Sequence, residues 1–240
     1  TFTATYQRDM KGVLAYSTIG HLGLITFLLG MSTELALVAA VFHMLNHATF
    51  KASLFMATGV VDHETGTRDL GKLNGLRHAM PITATLPAVA ASAMAGVPLL
   101  NGFLSKEMFF EESIVVGGSV GTQILLPAIA TIGGLFSVAY SLRFIHEVFF
   151  GPPARDLPRV PHEPRPMLVP SALLVVACVL VGVVPAITVG PLLAAAGTAI
   201  LGDLPEYELA VWHGITPAFL MSLVALGGGV GFYLLLYRKR

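Results

Sequence analysis

Charge is what this sequence has least of. Asp, Glu, Lys and Arg make up 12% of its 240 residues, against about 25% in an average soluble domain. So little charge cannot cover a water-facing surface, whereas a lipid-facing surface needs none. Fourteen basic residues balance fourteen acidic ones, which leaves no electrostatic footprint for nucleic acid. The one cysteine, Cys178, excludes an internal disulfide and sits in the apolar run Leu173 to Val184, as a buried thiol would. Also missing are a dinucleotide fingerprint, a phosphate-binding loop, a Cys-x-x-Cys pair and a hydrolase nucleophile motif. Nothing is suited to a flavin or an iron–sulfur cluster, and no cofactor is implied. Asp62, His63, Glu64 and His78 stand in or beside a connection without metal-ligand spacing.

What remains is 55% hydrophobic, with a mean hydropathy of +0.76. A membrane helix needs about 20 mostly apolar residues. Six stretches qualify: 11–31, 35–61, 81–114, 124–150, 167–190 and 212–237. The connections carry turn residues, as in Asp62-His63-Glu64-Thr65-Gly66, Gly117-Gly118 and the proline-rich Gly151 to Pro166. The sequence therefore predicts an all-α polytopic membrane protein with about six transmembrane helices. The opening Thr1 to Met10 is polar, has no signal-peptide pattern and reads as the tail of an upstream element. The chain is expected to be a piece of a longer protein.

Basic residues orient the spans. With the N-terminus inside, twelve of the fourteen Lys and Arg fall on the inner side. They are Arg8, Lys11, Arg68, Lys72, Arg77, Arg143, Arg155, Arg159, Arg165, Arg238, Lys239 and Arg240. The outer loops, around 32–34, 115–123 and 191–211, hold none and carry Glu34, Asp203, Glu206 and Glu208 instead. That asymmetry is the positive-inside pattern. The two cations left over, Lys51 and Lys106, lie within apolar runs.

The third stretch is too long for one straight span. Pro81 to Ile114 is 34 residues, about 51 Å at helical rise against a hydrocarbon core of about 30 Å. Its middle, Gly96-Val97-Pro98-Leu99-Leu100-Asn101-Gly102, predicts a helix broken there, because proline removes a donor and glycine loosens the backbone. Freed backbone groups in a bilayer survive only against protein or a wet cavity, and broken helices recur at ion sites. A proline kink without function is the plainer alternative.

Three groups on the second stretch are spaced by four: His43, His47 and Lys51. Each step rotates 40° along the helix, so they form one polar stripe. From Leu35 they lie about 12, 18 and 24 Å along the axis. A cation at that depth costs about 2.5–3.5 kcal/mol on insertion scales, and histidine titrates near neutrality. Such a file can pass protons through intervening water. For one histidine alone an inter-helix hydrogen bond is the plainer role, and for Lys51 snorkelling to the inner interface. Lys106 follows the break, with Glu107 next to it and Glu111 and Glu112 a turn on; it is expected to act as a switchable charge or to pair with a carboxylate on another helix. His21 could extend the relay. Arg143 and Glu147, four apart, are placed to pair.

Three segments then carry a resemblance: Arg8-Asp9-Met10-Lys11-Gly12-Val13-Leu14-Ala15-Tyr16-Ser17-Thr18, Phe42-His43-Met44-Leu45-Asn46-His47-Ala48-Thr49-Phe50-Lys51, and Asn101-Gly102-Phe103-Leu104-Ser105-Lys106-Glu107. With the loop between them they span about half the chain. They resemble the antiporter-like membrane subunit family, which includes the long A-type subunit of Mrp-type sodium/proton antiporters and the largest antiporter-like subunit of respiratory complex I. Asp62 to Asp69 and Ser105 to Glu111 are more similar to the Mrp branch; the complex I branch usually has histidine for Asp62 and aspartate for Glu107. The resemblance implies that Lys106 is the lysine on the broken helix of a second half-channel. His43, His47 and Lys51 would be polar residues of the adjacent helix, and Lys11 a basic residue on the inner flank of the preceding one. His21 stands where the complex I branch would have glutamine. The family's earlier helices and a long C-terminal extension are expected to lie outside this sequence. Residues 1–114 would be the second-half-channel helices, and 115–240 the following helices of the same membrane domain. The implied function is proton translocation in a hetero-oligomeric Na⁺ or K⁺/H⁺ antiporter of the bacterial plasma membrane, with other membrane subunits and lipid as partners and no metal. The alternatives are a proton-pumping arm of complex I or a membrane-bound hydrogenase, and a non-conducting assembly subunit.

Overall fold

The computed structural model describes residues 1–115, 120–154, 157–203 and 205–238. Gly117, Gly118, Arg155, Lys239 and Arg240 lie outside them, as does the side chain of Arg238. Among the described residues the elements are helical, and no strand occurs. After a 3-10 turn at Phe2–Tyr6 come α1 (Met10–Gly30), α2 (Glu34–Thr65), α3 (Pro81–Ala95), α4 (Asn101–Val115) and α5 (Val120–Phe149). Then follow α6 (Arg165–Val183), the single turn α7 (Pro185–Thr188), α8 (Gly190–Leu201) and α9 (Pro217–Arg238). Helices α1, α2, α5, α6 and α9 are long and apolar enough to cross a membrane. The shorter pair α3 and α4 divides the third expected stretch, 81–114.

Three boundaries differ from the sequence reading. Asp62, His63 and Glu64 are helical rather than in a loop, because α2 runs on to Gly66, which closes it in the left-handed conformation (φ 73°). The fifth stretch stops at Val183, before Pro185. The outer loop 191–211 contains α8, whose Ala- and Leu-rich sequence is a strong helix former behind an N-terminal proline.

Helix α2 is the centre of the bundle and packs on α1, α3, α4 and α6, while α9 lies along α5. The break between α3 and α4 begins at Gly96, whose φ of 90° favours glycine. There the Gly96 amide donates to the Ser92 and Ala93 carbonyls, and Val97 to Ser92. Beside the break, Asn46 on α2 and Asn101 at the start of α4 hold each other: Asn46 Nδ2 donates to the Asn101 carbonyl (2.9 Å) and Asn101 Nδ2 to Asn46 Oδ1 (3.1 Å).

On the side assigned as inner, a strap formed by 157–164 ties two helix ends. Arg159 donates through its amide and guanidinium to the carbonyls of Thr65 and His63, and the His162 ring reaches buried Glu64 at 2.7 Å. Glu163 caps α3 from a distance, accepting from the amides of Ile82 (2.8 Å) and Thr83 (3.0 Å) and from the Thr83 hydroxyl. Glu163→Ala is expected to cost about 1–2 kcal/mol. Hydrogen exchange should then speed up at the amides of Ile82 and Thr83 and leave α2 unchanged.

Candidate functional site

The break creates the first element of the site. A helix end leaves its last carbonyls without backbone donors. Lys106, on α4 and only 5% exposed, reaches back to two of them: Nζ donates to Met94 O (2.7 Å) and Ala95 O (3.0 Å). Its ammonium therefore sits at the negative end of α3. The stem passes Gly96 so closely that a Cβ there would meet Lys106 Cδ at 3.0 Å. The third partner is Ser137 Oγ on α5, at 3.0 Å. The carboxylate partner held as an alternative role is not found: among the described residues no carboxylate oxygen lies within 4.0 Å of Nζ. Glu107 points a helical step away, and its Oε2 faces His213 Nδ1 at 3.6 Å.

From Ser137 the contacts continue across four helices. Tyr140 Oη donates to Ser137 Oγ (3.1 Å) and meets His21 Nε2 on α1 at 3.2 Å. His21 Nδ1 meets His43 Nε2 on α2 at 3.0 Å, and His43 Nδ1 meets Ser105 Oγ on α4 at 3.0 Å. Ser105 precedes Lys106, so the chain returns to the helix it started from. His21, His43, Ser105, Ser137 and Tyr140 are all buried. Every member is matched by a neighbour of hydrogen-bonding type, which is what removal from water demands.

The stripe of α2 is buried as a set but is not hydrogen-bonded end to end. His47 lies against His21, with ring centroids 5.2 Å apart and planes tilted by 33°, and against Phe50, and its buried Nε2 has no hydrogen-bond partner among the described residues. Lys51 does not snorkel. It is 4% exposed and donates to Leu14 O (3.1 Å) and to Ser17 Oγ on α1. Lys11 is separate from these groups, in a half-exposed ion pair with Asp62 at 3.2 Å. Arg143 and Glu147 pair at 3.0 Å as their spacing anticipated.

Sequence reasoning missed Ser105, Ser137, Tyr140 and Ser17. A signal was available on α5, where Ser137, Tyr140 and Ser141 form a polar face within an apolar run.

Two cavities border α4. One of about 220 Å³ is lined by Gly20, His21, Phe27, Lys106, Ser137 and Tyr140, and has room and polar partners for several waters. The other, of about 310 Å³, gathers Glu107, Glu111, Glu112, Glu206, Glu208 and His213. It joins the acidic outer loop to α4. Carboxylates concentrated in a low-dielectric cleft raise the local density of cations.

A helical bundle with five membrane-length spans, a broken sixth and a buried file of titratable groups defines a multi-pass membrane protein organised around an intramembrane polar path. Residues 1–133 match the family described as NADH:quinone oxidoreductase/Mrp antiporter, TM, and the chain belongs to that family. It is 60% identical over 237 residues to the A/B subunit of a probable K(+)/H(+) antiporter of Rhizobium meliloti (strain 1021), covering 98% of this chain and 24% of that protein. It is 42% identical over 245 residues to the A1 subunit of a Na(+)/H(+) antiporter of Staphylococcus saprophyticus, covering 93% of this chain and 30% of that one. Among solved structures, a chain of the Mrp complex from Dietzia sp. DQ12-45-1b superposes with a TM-score of 0.84 at 37% identity, over 97% of this chain and 25% of that one. A chain of respiratory complex I from Thermus thermophilus gives 0.69 at 25% identity, over 83% and 41%. The chain thus spans about a quarter to a third of the length of these antiporter relatives.

Proposed function

We propose that this chain is the proton-translocating part of a membrane subunit in a multisubunit monovalent cation/proton antiporter, moving protons against Na⁺ or K⁺. The observation that carries the reading is the buried lysine at the helix break, joined through serine, tyrosine and two histidines into one hydrogen-bonded file. Protons enter and leave such groups without a cofactor, and the occupancy of one site biases the next. Lys106 and His43 are its central groups. His47 and Lys51 continue the stripe toward the inner side, and Lys11 and Glu107 stand at its inner and outer flanks. The two relatives support both cations, one being named for K⁺ and the other for Na⁺. Residues 1–114 form the half-channel, and 115–240 supply helices that close it. The basic asymmetry of the sequence supports a cytoplasmic side for both ends of this chain, and its bacterial relatives support a bacterial plasma membrane. Other membrane subunits of the complex are its partners. The chain itself is a secondary-transporter component rather than an enzyme.

The second reading is the proton-pumping arm of a redox complex, favoured by the likeness to the Thermus complex I chain. Everted vesicles carrying the whole complex, from a host without its own antiporters, separate the two. With a respiratory gradient imposed, added Na⁺ or K⁺ is expected to collapse it with no redox substrate of the complex present. Proton movement driven only by such a substrate would instead establish the redox-arm reading.

A further inference from the structure

An ammonium has three protons to donate, and Lys106 Nζ has three acceptors: Met94 O, Ala95 O and Ser137 Oγ. The arrangement therefore suits the charged form completely. A neutral amine has two N–H groups and a lone pair, and the lone pair needs a donor. A carbonyl has no proton to give. Of the three groups around Nζ, only the Ser137 hydroxyl can supply one.

That hydroxyl now donates to Met94 O at 3.0 Å. It can leave without stranding the carbonyl, because Lys106 also bonds Met94 O, at 2.7 Å. On its other side Ser137 accepts from Tyr140 Oη, whose next neighbour is His21 Nε2. We infer that Ser137 and Tyr140 are relay residues connecting the His21–His43 pair to Lys106, with the Ser137 hydroxyl turning between Met94 O and Nζ as Lys106 loses and regains its proton. This rests on the proton-translocating role proposed above.

The step balances without an oxidant or co-reactant. A protonated His21 releases its Nε2 proton to the Tyr140 oxygen. The Tyr140 proton passes to Ser137 Oγ, and the original Ser137 proton forms the third bond to neutral Nζ. One N–H and two O–H bonds break, one N–H and two O–H bonds form, and the positive charge moves from His21 to Lys106. Both hydroxyls then point back toward His21. They must rotate before a second proton can follow, so the file carries one proton per reset.

The alternative carrier is water in the 220 Å³ cavity, which also touches His21 and Lys106. Cation-driven proton movement in everted vesicles bearing the whole complex distinguishes the two. Ser137→Ala and Tyr140→Phe are expected to slow it about a hundredfold, while Ser137→Thr, which keeps the hydroxyl, restores most of the rate. Native-gel recovery of the complex is expected to match wild type in all three. Wild-type rates in Ser137→Ala and Tyr140→Phe, alongside an inactive Lys106 variant, would hand the step to water and overturn the inference alone. Equal loss in Ser137→Ala and Ser137→Thr, with a normal Tyr140→Phe, would overturn it too, by making position 137 structural. A fully active Lys106 variant would remove the underlying reading instead.

Discussion

Lys106→Arg is expected to abolish cation-driven proton movement while leaving the complex assembled. Arginine supplies donors for the Met94 and Ala95 carbonyls, so the end of α3 stays capped. Its guanidinium stays protonated throughout the physiological range, and it cannot release and regain a proton. Lys106→Ala should lose transport as well, but for two reasons at once. It removes the proton carrier and leaves the buried Ala95 carbonyl without its lysine donor, at about 1–3 kcal/mol, while Met94 O keeps only the Ser137 hydroxyl. Lys106→Gln separates the effects, because its amide can still donate but cannot cycle. The expected order of thermal stability is wild type, then Arg and Gln, then Ala, with all three variants transporting at background rates. Rates are read in everted vesicles from the recovery of a pH-sensitive dye after addition of Na⁺ or K⁺. An Lys106→Arg complex that transports like wild type would show that no proton resides on residue 106 during turnover.

The second large effect is structural. A Cβ on Gly102 would collide with Ala93 O and sit 2.8 Å from Ala93 C. Both are backbone atoms, so no side chain can swing aside, and the two half-helices must move apart. The Lys106 bonds to Met94 and Ala95 span that gap and would lengthen with it, and Asn101, next to Gly102, would be displaced from Asn46 on α2. Gly102→Ala is therefore expected to cost about 3 kcal/mol and to lower the yield and thermal midpoint of the complex. Gly59→Ala on α2 is the control. Nothing lies within 4 Å of its added Cβ, and replacing a helix-interior glycine gains up to about 1 kcal/mol. Equal behaviour of the two variants would mean that close contact between α3 and α4 is not required.

Much of the site is legible along single helices. The four-residue spacing put His43, His47 and Lys51 on one face, and burial of all three follows from that periodicity. The pair Arg143–Glu147 is legible for the same reason. Lys106 stood out because a cation in an apolar run after a glycine–proline break has no ordinary surface role. The partner of Lys106 was not legible in this way. A carboxylate is the natural mate for a buried cation, yet the break freed two carbonyls at the negative end of α3, and these were nearer. His21 could extend the relay, but its partners His43 and Tyr140 were settled only when α1, α2 and α5 came together. Tyr140 and Ser137 carried no charge to mark them.

The sequence by itself determined that this is a helical membrane protein, with its number of long spans, its broken helix and its inner stripe of titratable side chains. Those features depend on composition and on the periodicity of one helix at a time. Tertiary packing alone decided the order of the file, from Lys106 through Ser137, Tyr140, His21 and His43 to Ser105. Every link but Ser137–Tyr140, which lie three apart on α5, joins side chains from different helices, or closes on a backbone group that the break set free. Hydrogen bonds at about 3 Å depend on how those helices pack, and spacing along one helix does not encode that.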